Sequence, residues 1–233
     1  MKNFIVAIGG GKMYTGETLL IDKQIVKLSR KKRPHALFIP TASKDNPEYC
    51  DSFKRIYKDV LGCNIDYLLL CEDKKILTKK KIKEKIEWAD IIYVSGGNTI
   101  YMMKAWRSAG VDEILKEAYE KGKILAGMSA GSICWFDGGF SDSFSGKYIV
   151  VKGLGLINAY HCPHYDSDKV KFAFLNRINN KPKENEWYLL DDNTAIVFDG
   201  KKITLIKSKE EAKGYKMHRL RGGLYEKTEL VRK

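Results

Sequence analysis

The sequence is poor in cysteine and proline, and it has no long apolar run. Its 233 residues include five cysteines and five prolines. No uninterrupted apolar segment approaches the ~20 residues that a membrane span needs. The cysteines are odd in number and form no Cys-x-x-Cys pair, which argues against a disulfide framework and a structural zinc site. The first residues reach glycine too early for a secretory signal. We therefore expect a cytoplasmic protein without a membrane segment.

Acidic residues are scarce relative to basic ones, with 29 Asp and Glu against 42 Lys and Arg and a net charge of +13. Such an excess is one mark of a nucleic-acid-binding protein. The lysines are spread over many segments, and the short basic runs at residues 31–33 and 79–81 are not interleaved with aromatic residues. This pattern favours a solvated basic surface, and a nucleic-acid module is kept as an alternative that salt-sensitive binding would support.

Short apolar runs alternate with amphipathic segments through the first 130 residues. Continuous apolar runs are typical of a parallel sheet that is covered on both faces. The alternation predicts an α/β fold, with a doubly wound, mostly parallel sheet and helices on both faces, as one domain over residues 1–233. The predicted strands span residues 4–8, 36–39, 65–70, 91–94 and 124–126, and the predicted helices span 19–29, 47–61, 78–88, 99–120 with a break at Gly110, and 168–179.

The pattern changes in the second half of the chain. Residues 138–146 are rich in glycine and serine and predict a loop or hairpin. Residues 187–190, 195–198 and 203–206 alternate like strands, and Asp199-Gly200 is a strong hairpin signal. We therefore expect a short β-hairpin region near the C-terminus.

The strongest chemical signal is the segment Gly127-Met128-Ser129-Ala130-Gly131, between a predicted strand and an apolar stretch. A G-x-S-x-G sequence at a strand-to-helix turn is typical of a nucleophile elbow, in which glycines permit a sharp turn that exposes the serine hydroxyl. A tight turn of small residues is the alternative interpretation. The elbow interpretation makes Ser129 the candidate nucleophile and the N–H of Ala130 a candidate oxyanion donor.

A serine nucleophile needs a neighbouring base, and the sequence offers four histidines. His35 precedes a strand and His218 lies in the charged C-terminal segment. His161 and His164 both follow the elbow, in His161-Cys162-Pro163-His164, and we favour His164 because Pro163 fixes the backbone before it. The same four residues resemble a metal cluster, but no second cluster completes a tetrahedral set, so we expect no metal.

The imidazole in turn needs an orienting carboxylate. Asp142 is the first candidate, and Asp137 and Asp166 remain open because spacing alone does not choose among them. A second oxyanion donor is expected in Ser95-Gly96-Gly97-Asn98-Thr99, which follows a predicted strand. Residues 9–11 are all glycine but match neither phosphate-binding pattern, so we interpret them as a turn that lines the cleft.

Taken together, these motifs resemble those of the dipeptidase E and cyanophycinase family of serine peptidases, from Phe4 to about residue 206. The resemblance implies an α/β fold related to class I glutamine amidotransferases. The segments that carry it are Phe38-Ile39-Pro40-Thr41-Ala42, Val94-Ser95-Gly96-Gly97-Asn98-Thr99, Gly127-Met128-Ser129-Ala130-Gly131, Asp142 and Cys162-Pro163-His164-Tyr165.

Carried over residue by residue, the resemblance implies a complete catalytic set. The expected set is Ser129 as nucleophile, His164 as base, Asp142 as third member, and the amides of Gly97 and Ala130 as oxyanion hole. Asn98 and Tyr165 are expected to contact substrate. The sequence departs from the family at Ser95, where relatives carry glycine, and in the shorter stretch 165–177 that follows His164. Aspartyl-dipeptide specificity is therefore not carried over.

We accordingly expect a serine-type peptidase that cleaves a short peptide or amide bond through an acyl-enzyme, without a metal or organic cofactor. A homodimer is left open. The alternatives are an esterase of the α/β-hydrolase kind and a peptide- or small-molecule-binding protein on the same scaffold. The esterase is disfavoured because too few residues separate Ser129 from Asp142 and His164 for the strands and helices that normally lie between them.

Overall fold

The computed structural model describes residues 3–71, 77–180 and 184–231. None of the helices in these ranges is long and apolar enough to cross a membrane. The strands are β1 Ile5–Ile8, β2 His35–Ile39, β3 Asn64–Tyr67, β4 Ile91–Val94, β5 Ile124–Met128, β6 Phe136–Phe144, β7 Lys147–Lys152, β8 Ile157–Cys162, β9 Glu186–Leu190, β10 Thr194–Phe198, β11 Ile203–Lys207, β12 Gly214–Arg219 and β13 Tyr225–Glu229. The helices are α1 Leu19–Leu28, α2 Pro47–Phe53, α3 Lys79–Trp88, α4 Thr99–Ala109, α5 Val111–Glu120, α6 Ala130–Ile133 and α7 Asp168–Asn180, with 3₁₀ turns at Met13–Thr15 and Thr41–Ser43 and a π-helix at Lys54–Val60.

A seven-stranded sheet forms the centre of the molecule, in the order β11-β10-β1-β5-β4-β2-β3. The strands from β1 to β3 in this order are parallel, and β10 and β11 join as an antiparallel hairpin at one edge. Successive residues of a strand face opposite sides. Accordingly Ile5 and Ala7 belong to one buried cluster and Val6 and Ile8 to another. Both faces are covered by helices, and the predicted α/β fold is confirmed.

The predicted elements of this first sheet lie close to their observed positions. The break between two helices at Gly110 is confirmed, and this glycine adopts a φ of 69° between α4 and α5. The predicted helix over residues 47–61 is an α-helix only as far as Phe53 and continues as the π-helix Lys54–Val60. The strand predicted at 65–70 is shorter, because β3 ends at Tyr67.

A second, six-stranded sheet in the order β13-β12-β9-β8-β6-β7 was not expected from the sequence. The glycine-rich segment 138–146 lies largely in β6, which forms a hairpin with β7. The strand predicted at 187–190 is β9, which belongs to this second sheet and not to a C-terminal hairpin. The hairpin around Asp199-Gly200 is confirmed as β10 and β11. Helix α7 packs on the second sheet through Val170, Phe174 and Ile178.

Parallel pairing brings several strand ends to common edges. Ile8 of β1 and Val94 of β4 lie beside Met128 and Gly127 of β5, so the segments after these three strands emerge together. In the second sheet, Cys162 of β8 lies beside Leu189 of β9. Ligands of open α/β sheets bind at such carboxyl edges, which is where the motifs of the sequence converge.

Candidate active site

Ser129 lies at a sharp turn between β5 and α6. Its φ of 54° and ψ of −114° are strained for a residue with a side chain. A β-carbon at Gly127 would overlap the carbonyl oxygen of Gly131, and one at Gly131 would overlap that of Val94. The two glycines are therefore required by the close approach of backbone segments, and the turn has the form of a nucleophile elbow.

The Ser129 hydroxyl is the first member of a hydrogen-bonded chain of three side chains. Its Oγ lies 2.9 Å from Nε2 of His164, and Nδ1 of His164 lies 2.6 Å from Oδ1 of Asp192. A carboxylate oxygen only accepts, so Nδ1–H donates to Asp192 and Nε2 is left to accept the hydroxyl proton of Ser129. This is the tautomer that a general base requires.

Three segments hold this chain of groups in place. His164 follows β8 and has a φ of 54°, so Ser129 and His164 both lie on left-handed backbone. Asp192 follows β9, and its amide donates to Oδ1 of Asp166 at 3.0 Å. Gly10 follows β1 and lies against the side chains of His164 and Asp192, since a β-carbon at Gly10 would overlap both of them. The triple-glycine turn thus makes room for the imidazole and its carboxylate.

The structure pairs His164 with a carboxylate other than the expected Asp142. Among the described residues, Asp192 and not Asp142 is the hydrogen-bond partner of Nδ1 of His164. Asp142 is an exposed residue of β6 that lines a pocket beside Ser129. Asp166 reaches the Asp192 backbone instead of the imidazole. Asp137 does not line the pockets at Ser129, and burial raises the pKa of its carboxyl.

Sequence reasoning missed Asp192 because its position depends on the pairing of β8 with β9. His164 follows Cys162 and Asp192 follows Leu189, and the parallel register of these two strands brings the two segments to one edge. A signal was present, since acidic residues directly follow the predicted strand 187–190. Nothing in that strand indicates which neighbour it pairs with or in which direction.

His161, the second candidate for the base, is fully buried away from Ser129. Its Nδ1–H donates to the Tyr188 carbonyl at 2.8 Å, and its Nε2 lies 2.9 Å from Oγ of Ser132. Ser132 Oγ also lies 2.7 Å from the Ser129 carbonyl. Burial is the main reason that the pKa of His161 is lowered to about 4. His161 therefore supports the elbow from within the core.

We expect His161 to make the protein sensitive to acid. Its folded pKa of about 4 lies below the ~6.5 of an unfolded histidine, so the unfolded chain binds the proton first as the pH falls. Its contribution is complete above pH ~6.5 and is lost between ~6.5 and ~4, by about 3 kcal/mol in the free energy of unfolding. Urea unfolding at pH 7.5 and pH 4 should show this loss. The His161→Gln variant should show a smaller difference between the two pH values, and an equal difference would contradict the assignment.

The two expected oxyanion donors both lie near Ser129. Gly97 follows β4 and lines both pockets at Ser129, and Ala130 is the next residue in the chain. Neither amide is a donor among the described backbone hydrogen bonds of turns and helix caps. Helix α6, which follows the elbow, has four residues.

The structure gives other roles to Asn98 and Tyr165. The Asn98 side chain accepts from the Tyr101 amide at the start of α4, and its Nδ2 donates to the Ser143 carbonyl. Tyr165 is 2% exposed and packs edge-on against Phe174. Neither side chain lines the pockets that the described residues form at Ser129, so a substrate contact is not supported for them.

Two pockets meet at Ser129 and share Gly97 and His164. The larger, about 540 Å³, is called here the apolar pocket, and the smaller, about 340 Å³, the acidic pocket. The apolar side chains that line the apolar pocket are Met13, Tyr14, Phe38, Tyr49, Tyr93 and Met128, and Lys12 and Glu48 line it as well. The acidic pocket carries the carboxylates of Asp142, Asp166 and Asp192. Over the described ranges, no group of three or more His, Cys, Asp or Glu residues is placed to hold a metal ion.

A Ser–His–Asp arrangement on a strand-to-helix turn is typical of hydrolases that use a serine nucleophile. The profile of Peptidase family S51 matches residues 5–206. A Bacillus subtilis protein described as the uncharacterized peptidase YgaJ is 33% identical over 218 residues, which cover 93% of this chain and 92% of that protein. The chain belongs to Peptidase family S51, and it is a peptidase.

Solved structures agree with the fold. A peptidase from an acI-B1 Actinobacterium superimposes with a TM-score of 0.73 at 21% identity, covering 100% of this chain and 95% of the other. A Listeria monocytogenes EGD-e protein provisionally named a peptidase E gives a TM-score of 0.68 at 19% identity, covering 89% and 99%. At these identities the likeness concerns the fold.

Proposed function

We propose that the protein is a serine-type peptidase that cleaves short peptides through an acyl-enzyme formed on Ser129. The observation that carries the proposal is the continuous chain from Ser129 through His164 to Asp192, with separations of 2.9 Å and 2.6 Å. A serine hydroxyl is a weak nucleophile unless a base accepts its proton as it attacks. Here the base is already in contact with the hydroxyl, in the required tautomer.

The proposed reaction uses His164 twice. Its Nε2 accepts the Ser129 proton as Oγ attacks the peptide carbonyl, and the same proton is then donated to the leaving amine as the C–N bond breaks. A water molecule repeats the sequence on the acyl-enzyme and releases the second product. Asp192 holds the imidazole through Nδ1 and stabilises the imidazolium that forms in each step.

The tetrahedral intermediate carries a negative oxygen that needs donors. We assign these donors to the backbone amides of Gly97, which lines the pocket at Ser129, and of Ala130, which follows Ser129 in the chain. Neither amide is used by the described turn and cap hydrogen bonds. Each donor of this kind typically contributes ~3 kcal/mol to the transition state. The two pockets that meet at Ser129 would hold the residues on either side of the scissile bond.

Labelling with a fluorophosphonate probe tests the proposal. An activated serine attacks the phosphorus and retains the adduct, whereas an ordinary serine does not react appreciably. We expect one adduct by intact mass, located on the peptide that contains Ser129 by tandem mass spectrometry. Heat-unfolded protein is the control, because unfolding separates Ser129 from His164. A folded protein that gains no adduct, or gains it on another serine, would contradict the proposal.

A further inference from the structure

The apolar pocket has the character of a side-chain specificity site. It opens directly at Ser129, and its apolar lining comes from tyrosine, phenylalanine and methionine side chains. Phe38 forms part of its buried wall, and Met128 precedes the serine in the chain. Burying an aromatic side chain against such surfaces is strongly favourable, and Met packs adaptably around it.

Tyr93 also lines this pocket, and the residue is 1% exposed. Its hydroxyl oxygen is buried and has no hydrogen-bond partner among the described residues, so the ring and not the hydroxyl faces the pocket. Tyr93 therefore adds aromatic surface to the apolar wall.

The mouth of the pocket is also aromatic. Tyr14 and Tyr49 both line it and are 55% and 45% exposed, although they come from separate segments, the turn after β1 and helix α2. Exposed aromatic rings from two elements at one opening are typical of binding surfaces, where they provide apolar area with little loss of side-chain freedom.

We propose that the apolar pocket binds a large aromatic side chain adjoining the scissile bond. This inference rests on the proposed function, and it names the substrate class of that site. Acidic side chains are excluded from the neighbouring acidic pocket, where Asp142, Asp166 and Asp192 would repel them. The preferred substrates are therefore short peptides containing tyrosine or phenylalanine, and not aspartyl peptides.

Paired dipeptides test whether an aromatic residue is preferred and on which side of the scissile bond it lies. Tyr-Ala, Phe-Ala, Ala-Ala and Asp-Ala vary the acyl residue, and Ala-Tyr, Ala-Phe and Ala-Asp vary the leaving residue. In one of the two series we expect kcat/KM for tyrosine to exceed that for alanine on the order of 10- to 100-fold, as burial of an aromatic side chain implies. Equal rates for tyrosine and alanine in both series, or a preference for aspartate, would overturn the inference.

One variant and its matched control connect the preference to this pocket. Ser52 lines the pocket from α2. The Ser52→Phe variant should fill the pocket and lower the ratio of kcat/KM for the tyrosine dipeptide to kcat/KM for Ala-Ala about tenfold. Val60→Phe, at a position 53% exposed in the following π-helix, is the matched control that should leave this ratio unchanged. An unchanged ratio in Ser52→Phe would overturn the inference that this pocket sets the specificity.

An error in the assigned specificity and an error in the proposed serine chemistry would give different experimental results. The fluorophosphonate adduct reports on Ser129 without using the side-chain pocket. Calorimetric titration of the Ser129→Ala variant with the same dipeptides reports on the pocket without turnover. Tighter binding of the tyrosine dipeptide than of Ala-Ala supports the inference even if no peptide is cleaved, and equal binding overturns it even if the serine is labelled.

Discussion

Replacement of Ser129 by alanine should lower kcat for peptide hydrolysis by about 10⁶-fold, the loss typical when a serine nucleophile is removed. The reason is that His164 then has no hydroxyl to deprotonate, while the rest of the site remains. Alanine fits the space of serine, so the melting temperature should stay close to that of the wild type. Kinetics on a cleaved dipeptide and a thermal melt measure both quantities. Turnover retained within a few orders of magnitude of the wild type would exclude Ser129 as the nucleophile.

Ser129→Gly is the informative companion variant. It should lose turnover equally, because it also lacks the hydroxyl. Its unfolding free energy should exceed that of Ser129→Ala by about 1 kcal/mol, since glycine adopts a φ of 54° and a ψ of −114° without steric strain. A Ser129→Gly variant less stable than Ser129→Ala would show that the elbow backbone stores no such strain.

Asp192→Asn should lower kcat by about 10⁴-fold, the loss typical when the triad carboxylate becomes an amide. The amide can present its NH₂ to Nδ1 of His164, which turns the imidazole into the tautomer whose Nε2 cannot accept the Ser129 proton. Because the substitution is nearly isosteric, binding of a dipeptide by a Ser129→Ala and Asp192→Asn double variant should remain close to that of Ser129→Ala.

Asp142→Asn is the matched control, since it makes the same chemical change on the other candidate carboxylate. Asp142 is exposed and lines the acidic pocket, and it is Asp192 that contacts His164. We expect Asp142→Asn to change kcat less than about tenfold, as for a charge that acts only through the local potential. The reverse order of effects would restore Asp142 as the third member and refute the assignment made from the distances.

The parts of the molecule that were predictable from the sequence depend on local signals. The strands of the first sheet are short, buried runs, and their alternation with amphipathic helices has one common architectural solution. The elbow is similarly local, because Gly127 and Gly131 are required within one turn of Ser129. His164 could be chosen because few histidines exist and Pro163 precedes it.

The second sheet and the contact between Asp192 and His164 depend on long-range pairing. Strands β6 and β7 carry glycine, serine and lysine among their apolar residues, so their periodicity is weak. Only the parallel register of β8 with β9 brings Asp192 to His164, and neither strand encodes its partner locally. Asn98 and Tyr165 were attractive because they adjoin motifs, but capping and core packing account for their side chains.

The distribution of the three groups over two sheets has a consequence for folding. Ser129 belongs to the first sheet, His164 follows a strand of the second, and Asp192 lies in the connection from β9 of the second sheet to β10 of the first. Any state in which only the first sheet has formed lacks His164 and Asp192 beside Ser129. The proposed chemistry therefore requires both sheets to be in place.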